Sequence, residues 1–352
     1  MFVSLPSSVL EFYASVLGTS LTCLKLNSFQ DNFDHARYNI DGRDHSGEFN
    51  TKAHIFYFDW FFRNHQRLYD AYQLLGNEDS KRLYLCLIAY RLAGHHSVRI
   101  PVGFQLNSPE YEHYKRLEKN TESTLPLSGF LGKLKHYDFE FNGQRYVADC
   151  LGFEYYLFRK QYFYSKDGIT IAPSEGDFVI DGGACLGDTA AVFSNAVGPK
   201  GCVYAFDPIA EHVEILAHNA KNFPQDNVKI MPYGISDRNV EAEPLSLQQY
   251  SPGFRINNQV CPLRTIDSLL DSRQIECVDF LKLDVEGSEA EAITGARHTI
   301  LKFKPKLAIS LYHKPDDLFE LIHMIKSNFP FYKMYIEHYT IHQEETVLYG
   351  IQ

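Results

Sequence analysis

Several features are missing from this 352-residue sequence, and each absence excludes a class of protein. Its seven cysteines, Cys23, Cys86, Cys150, Cys185, Cys202, Cys261 and Cys277, include no Cys-x-x-Cys pair. That removes the usual spacing of a zinc ribbon or a redox dithiol, and scattered thiols suit a reduced, cytoplasmic setting. Lys and Arg form no stripe and the formal net charge is −10, so no nucleic-acid partner is expected. No uninterrupted apolar run of about 18 residues occurs, so no membrane partner is expected either. The N-terminal "MFVSLPSSVLEFYASVLG" lacks a basic leader and carries Glu11 within its apolar part, and it reads as folded structure. Internal repeats and low-complexity tracts are absent. Tryptophan occurs once, whereas 26 Phe and 23 Tyr supply large cores or a ring-walled pocket.

What is present changes character near residue 125, which predicts a mainly helical N-terminal region over 1–125 and a second domain over 126–352. In "AHIFYFDWFFRNHQRLYDAYQLLG", Ile55, Phe58, Phe62, Tyr69 and Tyr72 share one helical face, with Gly76 near the stop. In "SKRLYLCLIAYRLAG", Leu83, Tyr84, Leu87, Ile88 and Leu92 do the same, Ser80 offering a cap and Gly94 a terminator. "HYDFEFNGQRYVA" alternates about Asn142-Gly143, the pattern of a tight hairpin. From Asp177 onward, strands expected at 177–181, 202–207, 228–233, 278–284 and 306–312 alternate with helices. One helix spans 209–223, one begins at Ser288 with a capping box to Glu291, and one follows Pro315. This alternation predicts an α/β fold with a mostly parallel sheet covered on both faces. "YKMYIEHY" and "ETVLYGI" lie too close for a crossover helix and predict an antiparallel hairpin at the sheet edge.

The first of these strands runs into a glycine turn, "VIDGGACLGD", which occupies the switch point of such a sheet, where ligands bind. Gly182 and Gly183 let the backbone bend sharply, and Gly187 lets the following helix approach. Asp181 precedes the glycines, Asp207-Pro208 ends the second strand, and Ser236-Asp237 follows the third. An acid before the turn repels a pyrophosphate but suits a cationic group, Asp207 suits ribose hydroxyls, and Ser236-Asp237 suits an adenine amino group. S-adenosyl-L-methionine, an adenosine with a cationic amino-acid tail, has that chemistry. The positions expected to bind it are Asp181, Gly182, Gly183, Ala184, Gly187, Asp188, Thr189, Asp207, Pro208, Ser236, Asp237 and Asp284. "GGACLG" also fits a loose dinucleotide fingerprint, so a nicotinamide-dependent oxidoreductase is the competing reading. A non-catalytic nucleoside-binding protein is a third.

The order "VIDGGACLGDTA", "AFDP", "TIDSLL", "DFLKLDVEGSEAEAITGA" resembles the FkbM family of S-adenosylmethionine-dependent methyltransferases. The family's K-x-D-x-E-G-x-E pattern appears as Lys282, Asp284, Glu286, Gly287 and Glu289, and the likeness covers about residues 170 to 350. It implies the class I methyltransferase fold, Rossmann-like with seven strands, and methyl transfer mostly to oxygen, on a sugar or natural-product hydroxyl. The Glu that many members carry in the fifth strand is missing from "LAISLYHK".

Methyl transfer from a sulfonium needs positioning and, for a hydroxyl acceptor, a base. Asp284 ends the fourth strand and reads as the base or as the partner of the donor's amino group, with a turn cap as the structural alternative. Glu286, two residues on, points the same way and reads as a catalytic group reaching the acceptor, with a solvated loop acid as the alternative, and Lys282 reads as a salt-bridge partner for a neighbouring acid. His313, after the fifth strand, is the histidine candidate for the base; His338 is a second, Tyr312 a pocket wall, and His95-His96 a polar loop. Asp284 and Glu286 could supply only part of a metal shell, and no acid follows directly on the fifth strand until Asp316, so no metal is expected. The expected partner is a small-molecule acceptor, and residues 1–125 would cover the site, select the acceptor or form a homodimer contact.

Overall fold

The computed structural model describes residues 4–26, 29, 31–32, 51–127, 134–244 and 260–352. Along the chain these form α1 (Val9–Leu26), α2 (Thr51–Gln73), α3 (Glu78–Ala93), α4 (Pro109–Leu117), β1 (Asn120–Glu122), β2 (Lys135–Phe141) and β3 (Gln144–Cys150). There follow α5 (Glu154–Leu157), β4 (Tyr164–Lys166), β5 (Ile169–Ile171), β6 (Phe178–Gly182), α6 (Asp188–Val197), β7 (Cys202–Phe206), α7 (Ala210–Ala220) and β8 (Val228–Met231). Then come β9 (Gly234–Ile235), β10 (Val240–Pro244), β11 (Val260–Arg264), α8 (Ile266–Asp271), β12 (Phe280–Leu283), α9 (Glu289–Gly295) and α10 (Arg297–Phe303). The chain ends with β13 (Lys306–Ser310), α11 (Asp317–Asn328), β14 (Lys333–His338) and β15 (Thr346–Ile351).

The main sheet has seven strands in the order β14-β15-β13-β12-β6-β7-β8. The pairs β13–β12, β12–β6, β6–β7 and β7–β8 are parallel. Parallel strands need both faces covered, and β7 and β12 are buried at every residue. Strands β14 and β15 are neighbours, and their short link leaves no room for a crossover. Strand β14 forms the edge and β15 lies between it and β13, so the last two strands stand side by side at the sheet edge as expected.

Two compact units divide the chain, one of residues 1–103 with 314–348, the other of residues 104–313 with 349–352. In the first, the N-terminal helices share a core with α11 and β14. The single tryptophan, Trp60, donates to Asp316 Oδ1 at 2.7 Å, Tyr84 donates to the Leu318 carbonyl at 3.0 Å, and Ser80 Oγ accepts from Ile336 N at 3.0 Å. Helix α2 buries Trp60, Phe61, Leu68, Ala71 and Tyr72, whereas Ile55 and Phe62 are 65% and 46% exposed. The inward face is therefore rotated from the one the sequence periodicity predicts. Helix α3 is buried on all sides, so no single face is its inner one, and its N-cap is Asn77, which accepts from Ser80 N. Ser80 itself is turned inward to serve β14. Among the described residues one helix, Val9–Leu26, is long and apolar enough to cross a membrane, with mean hydropathy 1.2. Its Phe12, Val16, Ser20 and Cys23 recur every three or four residues and are buried in this unit.

In the second unit β2 and β3 pair around Asn142-Gly143, whose φ values of 51° and 76° are those of a two-residue type I′ turn. Buried Asn219 on α7 fixes this hairpin to the glycine turn. It accepts from Asp149 N at 2.8 Å, donates to the Asp149 carbonyl at 2.9 Å, and donates to the Leu186 carbonyl at 2.7 Å.

Candidate active site

The site forms where β6, β7, β9 and β12 end. At Gly183 φ is +78°, and an added Cβ would lie 1.9 Å from the Asp284 carbonyl oxygen, so only glycine allows the turn and the end of β12 to touch. At Gly182 an added Cβ would meet Leu283 at 2.9 Å and Ile235 at 3.0 Å, which brings the end of β9 to the same place. Gly187, with φ +93°, leaves room for Leu216 of α7, where a Cβ would fall 2.5 Å away.

The backbone of the turn is already bonded. Gly183 N and Ala184 N both donate to the Phe206 carbonyl, at 3.0 and 2.8 Å, and Gly187 N donates to the Ala184 carbonyl at 2.8 Å. Cys185 N donates to Asp207 Oδ2 at 3.0 Å. A phosphate-binding turn works by presenting unpaired N–H groups; here four of them are held by protein acceptors.

The acids at the strand ends divide into two kinds. Asp181 is fully buried, 2.9 Å from Lys282 Nζ, and its other oxygen accepts from Thr189 Oγ1 at 2.6 Å. Asp181 and Lys282 are register partners on adjacent parallel strands, so their meeting follows from the β6–β12 pairing. Burial disfavours the Lys282 charge, yet Asp181 and Asp284 hold its pKa above the ordinary lysine value. Lys282 also donates to the Gly183 carbonyl at 2.8 Å, and its ammonium lies 5.3 Å above the Tyr162 ring. The pair is an internal brace beneath the turn. Asp207 is likewise buried and accepts from Cys185 N and, at 2.9 Å, from Ile209 N, with His212 Nδ1 at 3.2 Å. Asp188 opens α6, where burial pushes its carboxyl up to about 6, Asp181 adding to the rise. Ser236 Oγ donates to Asp237 Oδ1 at 3.2 Å, and Pro208 lies beside Gly234, where an added Cβ would be 3.7 Å away.

The second kind surrounds Asp284. Its two oxygens accept from Tyr162 Oη at 2.9 Å and Tyr312 Oη at 2.8 Å. Burial raises the pKa of this carboxyl, but Lys282 and His313 outweigh it and hold it below the usual carboxylate range. His313 lies with Nε2 3.5 Å from both Asp284 Oδ1 and Glu286 Oε2, and with Nδ1 2.9 Å from Glu289 Oε1. Burial opposes its charge, but these three carboxylates, Glu289 foremost, raise its pKa to about 10. The imidazole is thus charged near neutral pH and does not act as a neutral base. Among the three carboxylates Glu286 has the most exposed side chain, 27% against 21% for Asp284 and 1% for Glu289. Glu286 and Gly287 have φ of 54° and 92°, and this tight entry lets Glu289 Oε1 accept from Val285 N at 2.9 Å. Ser288 makes no side-chain cap, so the capping box expected there does not form. His338 lies elsewhere, fully buried against Thr346 Oγ1 at 2.8 Å and pushed down to about 3 by burial.

Sequence reasoning named Asp284, Glu286 and His313 together, and the structure places them together. It passed over Tyr162 and gave Glu289 no role beyond the motif. Tyr162 has no local signal, being 122 residues from the carboxylate it serves. Glu289 carries one: it closes the K-x-D-x-E-G-x-E pattern.

Residues 181–345 match the sequence profile of the methyltransferase FkbM domain. No curated protein sequence matches the chain. Among solved structures, a methyltransferase FkbM from Methylobacillus flagellatus KT is similar at 20% identity with a TM-score of 0.54, over 83% of this chain and 60% of that one. The chain therefore spans less than two thirds of that relative. A precorrin-6y C5,15-methyltransferase from Geobacter metallireducens GS-15 matches at 13% identity and TM-score 0.36, over 52% of this chain and 83% of that one. Aeropyrum pernix fibrillarin, with natively bound S-adenosyl-L-methionine, matches at 11% identity and TM-score 0.35, over 67% and 99%.

Proposed function

Given that residues 181–345 match the methyltransferase FkbM domain, we propose that this chain transfers a methyl group from S-adenosyl-L-methionine to a hydroxyl of a small molecule, a sugar or a natural product. When bound, that cofactor supplies an electrophilic methyl on a sulfonium. The observation that carries the reading is the bonded turn: Gly183, Ala184, Cys185 and Gly187 direct their N–H groups to protein acceptors, which suits a nucleoside without phosphates. Asp207, buried beside the turn, keeps acceptor capacity for ribose hydroxyls beyond its two backbone bonds. Asp188 offers negative charge to a cationic amino-acid tail.

Glu286 is the proton acceptor in this account, because its side chain is the most open of the three acids around His313. A bound donor would give up its methyl and keep the carbon–sulfur electron pair, while the acceptor's hydroxyl proton passes to Glu286. Tyr162 and Tyr312 fix Asp284, and the charged His313 holds Asp284, Glu286 and Glu289 in one cluster. Incubation with methyl-labelled donor and pools of hydroxylated acceptors tests the reading. Label is expected in an alkali-stable ether, and Glu286→Gln should lower the rate at least tenfold. Label in no pool would favour a protein that only binds the nucleoside, and tight NAD binding would favour the oxidoreductase.

A further inference from the structure

The mechanism above leaves Glu289 Oε2 without a role. Glu289 is 1% exposed, and this oxygen has no hydrogen-bond partner, although a buried carboxylate oxygen is costly to leave unpaired. The adjacent imidazole is in a similar position. The His313 side chain is 3% exposed, and Nε2 makes no hydrogen bond, facing Asp284 and Glu286 at 3.5 Å. Ligand atoms of Asp284, Glu289 and His313 all lie within 4.8 Å of one another. Three carboxylates and one imidazole converge here, while Lys282 is already paired with Asp181. That excess of negative charge fits a divalent cation, and a mixed oxygen and nitrogen donor set suits Mn²⁺ better than Mg²⁺.

We propose that Asp284, Glu289 and His313 bind one divalent metal ion, with Glu286 at its rim, the ion taking the place of the proton that the imidazole carries without it. The site sits where the end of β12 and the residues after β13 meet, beside Glu286, the group assigned above to take the acceptor's proton. The inference therefore rests on that reading for its role, though not for its existence. A cation there binds the acceptor hydroxyl directly and makes its proton easier to remove, which lets Glu286 act as base despite the modest basicity of a carboxylate. Sequence spacing pointed away from a metal because it looked for an acid on the fifth strand. The third ligand instead comes from α9, through the tight turn at Glu286 and Gly287 that carries Glu289 back toward His313.

The full chain, stripped with a chelator and titrated with Mn²⁺ while the paramagnetic signal of the free ion is followed, tests this. One ion per chain is expected. His313→Ala and Glu289→Gln should each weaken uptake at least tenfold, while Glu276→Gln, at an exposed ion pair, should not change it. Should either variant fail to fold, the unaltered chain still decides, because bound Mn²⁺ must broaden the ring-proton resonances of His313. No saturable uptake of Mn²⁺, Zn²⁺ or Mg²⁺ at millimolar concentration, uptake indifferent to both substitutions, or broadening remote from His313 would each overturn the proposal. Titration of the metal-free chain with S-adenosylhomocysteine tests the methyltransferase reading separately. A chain that binds the nucleoside but no metal defeats this inference alone.

Discussion

Replacing Asp188 by Asn should make the protein more stable and its cofactor site worse. Burial at the start of α6 raises the Asp188 carboxyl from 3.8 to about 6, with Thr189 N and Lys282 working against the rise and Asp181 adding to it. An acid whose folded pKa is raised holds its proton more tightly in the native chain than in the unfolded one. Stability therefore falls as pH climbs from about 4 past 6 and stays lower above that. At ~1.4 kcal/mol for each tenfold change in acidity, the cost of the ionised carboxylate at pH 8 is at most about 3 kcal/mol. Asp188→Asn removes that cost but also gives up a negative charge at a helix start, worth roughly 0.3–1 kcal/mol. The net gain expected at pH 8 is about 2 kcal/mol, shrinking toward zero at pH 4, where the acid is protonated in the native chain. Urea unfolding of the parent and the variant at both pH values measures it. S-adenosylhomocysteine should bind the variant more weakly, the trade expected when an unfavourable charge is retained for a ligand. A variant less stable than the parent at pH 8, or one with equal gains at both pH values, would refute the reasoning.

Other perturbations separate scaffold from site. Asp207→Ala should lower both nucleoside affinity and stability, each by about 1–3 kcal/mol, because it leaves Cys185 N and Ile209 N without their acceptor. Asp207→Asn should retain most of the stability while still losing affinity, so matched calorimetry and thermal melts tell the roles apart. Gly183→Ala should cost well over ~1 kcal/mol, since left-handed backbone adds to a contact with the Asp284 carbonyl that no side-chain motion relieves. An unchanged melting temperature would contradict the tight joint.

The parallel sheet was readable because β-branched and aromatic runs alternate with helical periodicity from Asp177 onward, and the β2–β3 hairpin because Asn142-Gly143 admits one turn type. The helices of the first unit were harder to read. Helix α3 is buried on all sides, and α2 carries more aromatic residues than its buried face accommodates, so periodicity chose the wrong stripe. At the site, residue order along a strand shows that an acid stands at its end but not whether a neighbouring strand supplies a lysine. Asp181 looked like a ligand contact and is instead the partner of Lys282. His313 looked like a base by type and position. The three carboxylates that keep it charged stand close together in the sequence, from Asp284 to Glu289, and folding brings His313, from after β13, among them.

A crystal structure with S-adenosylhomocysteine is the most direct test of the central claim. The adenosine is expected along the turn at Gly182 and Gly183, with its ribose hydroxyls on Asp207 and its sulfur facing the cluster of Asp284, Glu286 and His313. A nucleoside bound away from that turn, or a phosphate-bearing ligand seated on it, would contradict the account.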